Sequence, residues 1–381
     1  MRDARLDRLA EVLVKYSAAV KKGDLVRISG ELPGFPLMEA IYEKVLIAGG
    51  HPFVMASSDA MEDAFYRYAS DEQLAYLSPI GKYIVEEIDV SIGLWAEENT
   101  RSMSNVDPKK QSMASQARKP LSKRFLERAA NKELRWVGTQ YPTAASAQDA
   151  EMSLREYEDF VFGAGLLHLA DPIAAWKEIS QRQQRLADYL NKVKEIRVIG
   201  KDTDLRLGVE GRLWINCDGH ENFPDGEVFT GPIEDATEGT IRYSFPAVHH
   251  GRECHDIVLK FKNGKVVEAR ASKGEDFLLQ MIDQDPGGRI LGEIAIGTNF
   301  GITKYTKNTL FDEKIGGTCH AALGAAYPET GGKNDSGLHW DMVCDTRAGG
   351  KVYADGQLIQ ENGVFKDKRF PQPERPARRK R

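Results

Sequence analysis

The sequence predicts an N-terminal α/β domain with a mostly parallel sheet, followed by an antiparallel β-rich domain. Over residues 1–195, β-branched runs alternate with amphipathic stretches, the pattern of βαβ units. After residue 195 the segments become short, β-branched or aromatic, and bounded by Gly, Asp and Pro. Of the 35 glycines, 24 follow residue 200, which agrees with a turn-rich second half because glycine favours tight turns.

The first half contains four predicted strands separated by helices. Apolar residues at helical spacing predict a first helix over residues 3–20, and Lys22-Gly23-Asp24 ends it. The strands are predicted at 25–30, 52–57, 89–96 and 134–140. Further helices are predicted at 34–49, 108–131, 150–166 and 172–195.

The second half is predicted to consist mainly of hairpins. The dipeptide Asn263-Gly264 lies between two alternating segments and suits a type I′ turn. Only 275–284 and the stretch near 311–326 have a helical pattern. We therefore predict an N-terminal domain at 1–195 and a C-terminal metal-binding domain at 196–365. The basic, proline-containing residues 366–381 are expected to form a disordered tail.

Composition excludes several classes of protein. A chain of 381 residues with 41% hydrophobic and 29% charged residues can bury a core without disulfides. The net charge of −5 argues against a nucleic-acid partner, and no apolar run reaches the roughly 20 residues of a membrane helix. Four cysteines without a C-x-x-C pair suit a reducing compartment, so we expect a cytoplasmic protein with no membrane partner.

His339 and Asp341 form the first candidate for chemistry. They are two residues apart and precede the apolar Met342 and Val343, which indicates a strand. Alternate residues of a strand point to one face, so an imidazole and a carboxylate could converge on one metal ion. Such pairs also occur routinely on exposed strand faces.

A second histidine lies in the segment GGTCHAALGAAYP, at residues 316–328. His320 and Tyr327 are seven residues apart, nearly two helical turns, so a helix here would put both on one face. A neutral imidazole can ligate a metal, and a phenol can donate a hydrogen bond to a developing oxyanion. The same residues would equally suit the buried face of a core helix.

Two glutamates are the candidate carboxylates. Glu227 follows a turn at Pro224-Asp225-Gly226 and precedes a short strand. Glu293 lies within the apolar run RILGEIAIGTN, where an acid is costly to bury unless it is paired or bound to a metal. The alternative is that Glu293 lies on the exposed face of an edge strand.

Together these positions supply three carboxylates, two imidazoles and a phenol. Five ligands with a bridging carboxylate suit two divalent metal ions, the arrangement of hydrolytic two-metal sites. Mixed nitrogen and oxygen donors favour zinc, cobalt or manganese.

Four segments, in order, resemble the aminopeptidase T / aminopeptidase S family of dinuclear metallopeptidases: PDGEVFTGP, LGEIAIGTN, DEKIGGTCHAALGAAYP and SGLHWDM. The resemblance covers most of the chain and is strongest from residue 220 to 365. It implies an N-terminal α/β domain, a β-rich metal domain and a homodimer. The catalytic tyrosine that it implies is Tyr327. The metal ligands that it implies are Glu227, Glu293, His320, His339 and Asp341.

The activity implied by this resemblance is the removal of N-terminal residues from peptides with a free N-terminus, by a water that two metal ions activate. Glu293 is the candidate bridging ligand or general base, and Tyr327 the hydrogen-bond donor to the oxyanion. A carboxylate near the metals is expected to hold the α-amine of the substrate.

Two alternatives remain at this stage. A distant relative of the family cleaves dihydroxypyridine rings with a single iron, at positions that match Glu293, His339 and Asp341. This chain has the other three residue types as well, which favours the peptidase. The second alternative is a non-catalytic protein that binds through its cleft and basic tail, with salt-sensitive binding to nucleic acid.

Overall fold

The computed structural model describes residues 3–249 and 251–373. Its contacts divide the chain into two compact units. The first comprises Met1–Ile173 and Gly219–Pro224, and the second comprises Ala174–Asp218 and Asp225–Arg381. No helix within the described ranges is both long and apolar enough to span a bilayer.

The first unit contains a parallel five-stranded sheet, as the sequence predicts. Its strands are β1 (Leu25–Glu31), β2 (His51–Ser57), β3 (Val90–Trp95), β4 (Arg135–Gln140) and β8 (Asn222–Phe223), in the order β2-β1-β3-β4-β8. Its helices are α1 (Ala4–Val12), α2 (Phe35–Ala48), α3 (Asp59–Tyr68), α4 (Asp71–Leu74), α5 (Pro79–Glu87), α6 (Pro108–Ala130), α7 (Ala144–Asp149) and α8 (Leu154–Ala164). Local chemistry sets their ends: α2 stops at Gly49, whose φ is 86°, and Ser153 and Glu156 cap α8 reciprocally.

The second unit contains antiparallel sheets, again as predicted. The helices are α9 (Pro172–Leu190), α10 (Glu275–Ile282) and α11 (Thr309–Asp312). An eight-stranded sheet has the order β14-β13-β10-β6-β5-β18-β19-β20. These strands are β5 (Glu195–Gly200), β6 (Thr203–Gly208), β10 (Thr237–Arg242), β13 (Val258–Lys262), β14 (Lys265–Arg270), β18 (Lys351–Ala354), β19 (Gln357–Glu361) and β20 (Val364–Phe365).

A five-stranded antiparallel sheet, the site sheet, completes the second unit together with a small hairpin. The hairpin pairs β11 (Ala247–His249) with β12 (Arg252–Cys254). The site sheet has the order β17-β16-β15-β9-β7. Its strands are β7 (Ile215–Cys217), β9 (Glu227–Thr230), β15 (Leu291–Gly297), β16 (Cys319–Gly324) and β17 (His339–Cys344).

The contacts put the division between the units before α9, whereas the sequence analysis put it after that helix, at 195. The physical reason is the apolar face of α9. Leu186 and Leu190 are fully buried in the hydrophobic core of the second unit, so the helix belongs with the β-rich part.

The predicted hairpin at Asn263-Gly264 forms between β13 and β14. Both turn residues have positive φ, 49° and 77°, which the type I′ turn requires. The helix expected near 311–326 is wrong: only α11, at Thr309–Asp312, is helical, and β16 occupies much of the rest.

The tail differs from the expectation over its first residues. Phe370 is 6% exposed, and its ring lies against Phe365 and Tyr189, with centroids 5.8 and 5.6 Å away. Residues 366–373 therefore pack on the second unit, because one aromatic side chain outweighs the charged composition around it. The remainder of the predicted tail, 374–381, lies outside the described residues.

Candidate metal centre

All five predicted ligands lie on four neighbouring strands of the site sheet. Glu227 begins β9, Glu293 lies on β15, His320 on β16, and His339 and Asp341 on β17. Glu293 is therefore on a central strand, and the edge-strand alternative for it is excluded.

One face of the site sheet packs on the core and the opposite face carries the ligands. On β17, Trp340 and Met342 belong to the core while His339 and Asp341, in alternate positions, face away from it. The register places Ala322 opposite both Glu293 and Asp341, between the two carboxylates. A side chain this small leaves space on the ligand face where larger residues would fill the site.

Two glycines allow the backbone to bring the glutamates into position. Gly226 precedes Glu227 with φ of 128°, and a Cβ there would lie 2.6 Å from Cβ of Asn299. Gly292 precedes Glu293, and a Cβ there would meet the carbonyl oxygen of Ala325 at 2.1 Å. Any side chain at either position would displace a strand that carries a ligand.

The ligand atoms converge within a few ångströms. His320 Nε2 lies 3.1 Å from Glu293 Oε1 and 3.6 Å from Glu227 Oε2. His339 Nε2 lies 3.5 Å from Glu293 Oε2 and 3.4 Å from Asp341 Oδ1. Glu293 thus presents one oxygen to each imidazole.

Backbone carbonyls orient both imidazoles. His320 Nδ1 donates to the carbonyl oxygen of Glu313, and His339 Nδ1 donates to that of Ala325, each at 2.9 Å. A ring held this way directs its Nε2 lone pair into the site when the imidazole is neutral. This is how metal-binding histidines are commonly fixed.

The carboxylates dominate the electrostatics of the site. Burial by itself lowers the pKa of both histidines, but Glu293, Asp341 and Glu227 outweigh it, and raise the pKa of His320 to about 10 and that of His339 to about 9. Burial raises the pKa of Asp341, yet its hydrogen bond with His339 holds it at about 2. The cluster therefore favours positive charge at its centre.

Divalent metal ions fit this cluster. Oε2 of Glu227 is buried and, among the described residues, has no hydrogen-bond partner, so a carboxylate oxygen faces the site unsatisfied. Donor atoms from Glu227, Glu293 and His320 lie within 4.8 Å of one another, and so do those from Glu293, His339 and Asp341. Buried oxygen and nitrogen donors of this kind are typical zinc or manganese ligands.

Tyr327 lies at the rim of the site but not on a helix. Gly324 ends β16 with φ of 104°, and Tyr327 follows it immediately before a 3₁₀ turn at Pro328–Thr330. The helical face expected for His320 and Tyr327 is therefore wrong. The chain nevertheless brings them together, because the ring of Tyr327 packs edge-on against His339, with centroids 5.2 Å apart. Burial and nearby carboxylates raise the pKa of Tyr327, which keeps its hydroxyl protonated as a donor.

Two residues that the sequence analysis did not single out belong to the centre. Lys314 is fully buried, with Nζ in contact with Glu313 and 3.6 Å from Glu227 Oε1. Burial lowers the pKa of Lys314, but Glu313 and Glu227 raise it well above its ordinary value, so the ammonium remains charged. The signal was an adjacent acid and base, Glu313-Lys314, before an apolar strand.

Replacing Lys314 by Met should destabilise the metal-free protein. Methionine retains most of the volume but removes the cation, and breaking a buried ion pair costs about 3 kcal/mol. Urea unfolding of metal-free protein should show a loss of this size, with a smaller loss after metal is added. Lys260→Met, at an exposed position of β13, is the matched control. Equal small effects of both substitutions would contradict a stabilising role for Lys314.

Comparison with known proteins identifies relatives along nearly the whole chain. Residues 2–367 match the family model described as thermophilic metalloprotease (M29). The chain is 28% identical to Aminopeptidase 2 of Geobacillus stearothermophilus, over 90% of this chain and 92% of that protein. It is also 28% identical to Aminopeptidase T of Thermus thermophilus, over 85% of each.

Solved structures show the same fold. Wild-type AmpT from Thermus thermophilus superposes with a TM-score of 0.84 at 24% identity, covering 96% of this chain and 99% of that one. The 2,5-dihydroxypyridine dioxygenase of Pseudomonas putida KT2440 superposes less well, with a TM-score of 0.59 at 13% identity, covering 96% and 98%.

Proposed function

Because this chain belongs to the thermophilic metalloprotease (M29) family and is a metal-dependent aminopeptidase, we propose that it acts through two divalent ions held by the five ligands of the site sheet. The observation that carries the proposal is the pair of overlapping ligand sets, which have Glu293 in common. One set adds Glu227 and His320, and the other adds His339 and Asp341. A single ion would leave one of these sets without a role.

The chemistry that such a pair of ions supplies is polarisation of the scissile carbonyl and a lowered pKa of a bound water. The residues of the chain do the rest. Glu293, facing both imidazoles, either bridges the two ions or accepts the proton of the attacking water. Tyr327 donates its hydroxyl hydrogen to the oxygen of the carbonyl as negative charge develops there.

Zinc, cobalt and manganese are the proposed ions. The support is the donor set of three carboxylates and two imidazoles, which these borderline ions accept. Since sites of this composition bind most first-row ions, the proposal covers all three metals.

The proposal includes a homodimer in the cytoplasm. All four cysteines are free thiols, in keeping with a reducing compartment. Helices α3 to α5 of the first unit and their connections expose a group of large apolar side chains, each at least 66% accessible, as surfaces that associate do. These residues are Met61, Tyr68, Tyr76, Ile80 and Tyr83. Light scattering on the purified protein tests the dimer directly.

Metal removal and restoration test the function. Purified protein should hydrolyse leucine p-nitroanilide, lose that activity after treatment with a chelator, and regain it with zinc, cobalt or manganese. Restoration should saturate at two ions per chain. No turnover with any of these metals, over a panel of aminoacyl p-nitroanilides, would contradict the peptidase. Saturation by one ferrous ion, with oxygen uptake on 2,5-dihydroxypyridine, would favour the dioxygenase alternative.

A further inference from the structure

A cleft of about 320 Å³ opens beside the ligand cluster in the second unit. Asp341 and Glu313, at one end of the cleft, belong also to the metal centre. The wall next to them is largely apolar and consists of Pro246, Ala247, Val248, Met342 and Val343. The volume is at the lower limit of ligand pockets, which suits one side chain better than a longer segment.

The wall is built by specific contacts. The backbone N–H of Ser244 donates to the carbonyl oxygen of Val343 at 2.9 Å, which ties the segment before β11 to β17. The hydroxyl of Tyr305 donates to the carbonyl oxygen of Pro246, and its ring stacks on Phe245 with centroids 4.8 Å apart. Three segments distant in sequence are thereby fixed around the cleft.

Glu313 is the acidic residue of the centre that the five-ligand assignment leaves without a role. A carboxylate oxygen of Glu313 lies within 4.8 Å of donor atoms of His320 and Asp341, and its side chain is 15% exposed. Oε1 contacts Lys314 Nζ, whereas Oε2 has no hydrogen-bond donor among the residues that the structure describes. The neighbouring cation holds the carboxylate in place and leaves one oxygen for a ligand.

We infer that the cleft receives the side chain of the N-terminal residue of the substrate while Oε2 of Glu313 accepts a hydrogen bond from its α-ammonium group. The inference rests on the proposed function. An ammonium group and an apolar side chain leave the same carbon atom of the substrate, and the acidic end and apolar wall adjoin in the same way. The substrates are therefore peptides with an unacylated N-terminus and an apolar first residue.

The ammonium contact is tested with two ligands that differ in one group, isopentylamine and isopentanol. Calorimetry on metal-loaded protein at pH 7 should show at least about tenfold tighter binding of the amine, the effect of one charge-assisted hydrogen bond. Glu313→Gln should abolish this preference with metal content unchanged. Glu268→Gln, at an exposed position of β14, should retain it. A preference that survives Glu313→Gln, or a loss of metal in that variant, would overturn the assignment.

The cleft is tested by filling it. Val248→Phe should lower the ratio of kcat/KM for leucine over alanine p-nitroanilide about tenfold, since excluding a few methylene groups has effects of this size. Thr309→Phe, at an exposed rim position of the cleft, should shift the ratio in the same direction without disturbing the core. Unchanged ratios in both folded variants would overturn the inference.

The inference and the proposed function fail in distinguishable ways. If the wild-type protein hydrolyses no aminoacyl p-nitroanilide but Glu313→Gln still abolishes the amine preference, the peptidase proposal fails and the binding site stands. If hydrolysis proceeds and neither Glu313 nor Val248 affects binding or selectivity, the peptidase stands and the N-terminal residue binds elsewhere.

Discussion

Replacing Glu293 by Gln is expected to lower kcat for leucine p-nitroanilide about 10³-fold and to weaken the binding of both metal ions. Glu293 belongs to both ligand sets, with one oxygen toward His320 and the other toward His339. The amide has a single oxygen acceptor and no negative charge. Loss of a proton acceptor alone accounts for about 10²- to 10⁴-fold in rate.

Metal stoichiometry separates Glu293 from the other carboxylates. Glu227→Gln and Asp341→Asn each alter one ligand set, so each variant should retain one tightly bound ion per chain. Glu293→Gln should retain neither at the same free metal concentration. If Glu293→Gln keeps both ions and loses only rate, then Glu293 is the general base and not the bridging ligand. Wild-type activity in this variant would contradict both roles.

Replacing Tyr327 by Phe is expected to lower kcat about 10²- to 10³-fold and to leave metal content unchanged. Removal of one oxyanion donor has an effect of this size. The phenyl ring retains the packing against His339 and Phe229, where the centroid distances are 5.2 and 5.3 Å, so the metal ligand should remain in place. KM should change little, because the hydroxyl acts as negative charge develops in the transition state.

A tyrosine outside the site provides the control for this substitution. Tyr353→Phe, on β18 of the eight-stranded sheet, removes a hydroxyl with no part in the proposed chemistry and should keep full activity. A fall in metal content with Tyr327→Phe would assign the phenol a structural role at His339. An unchanged kcat would show that another group stabilises the oxyanion.

The sequence was sufficient for the ligands because each belongs to a local pattern. His339 and Asp341 alternate on a strand, and Glu293 is an acid in an otherwise apolar run. Their convergence was not visible in the sequence, since it depends on the order β17-β16-β15-β9 and on the register that sets Ala322 opposite both Glu293 and Asp341.

Local pattern was misleading where glycine and tertiary packing decide the conformation. The seven-residue spacing of His320 and Tyr327 imitates a helical face, yet the segment pairs as β16 between two strands and bends at Gly324. Phe370 lies in a charged, proline-containing stretch, and its burial follows from the pocket that Phe365 and Tyr189 offer.

The sequence by itself determined the fold class of both halves and the residue types of the metal centre, because hydrophobic periodicity and turn residues are local properties. Only the tertiary structure decided that Lys314 and Glu313 join the centre and that an apolar cleft adjoins it. Burial of Lys314 is stable only where Glu313 and Glu227 surround its ammonium group. Such an environment is produced by segments far apart in the chain, so no window of the sequence contains it.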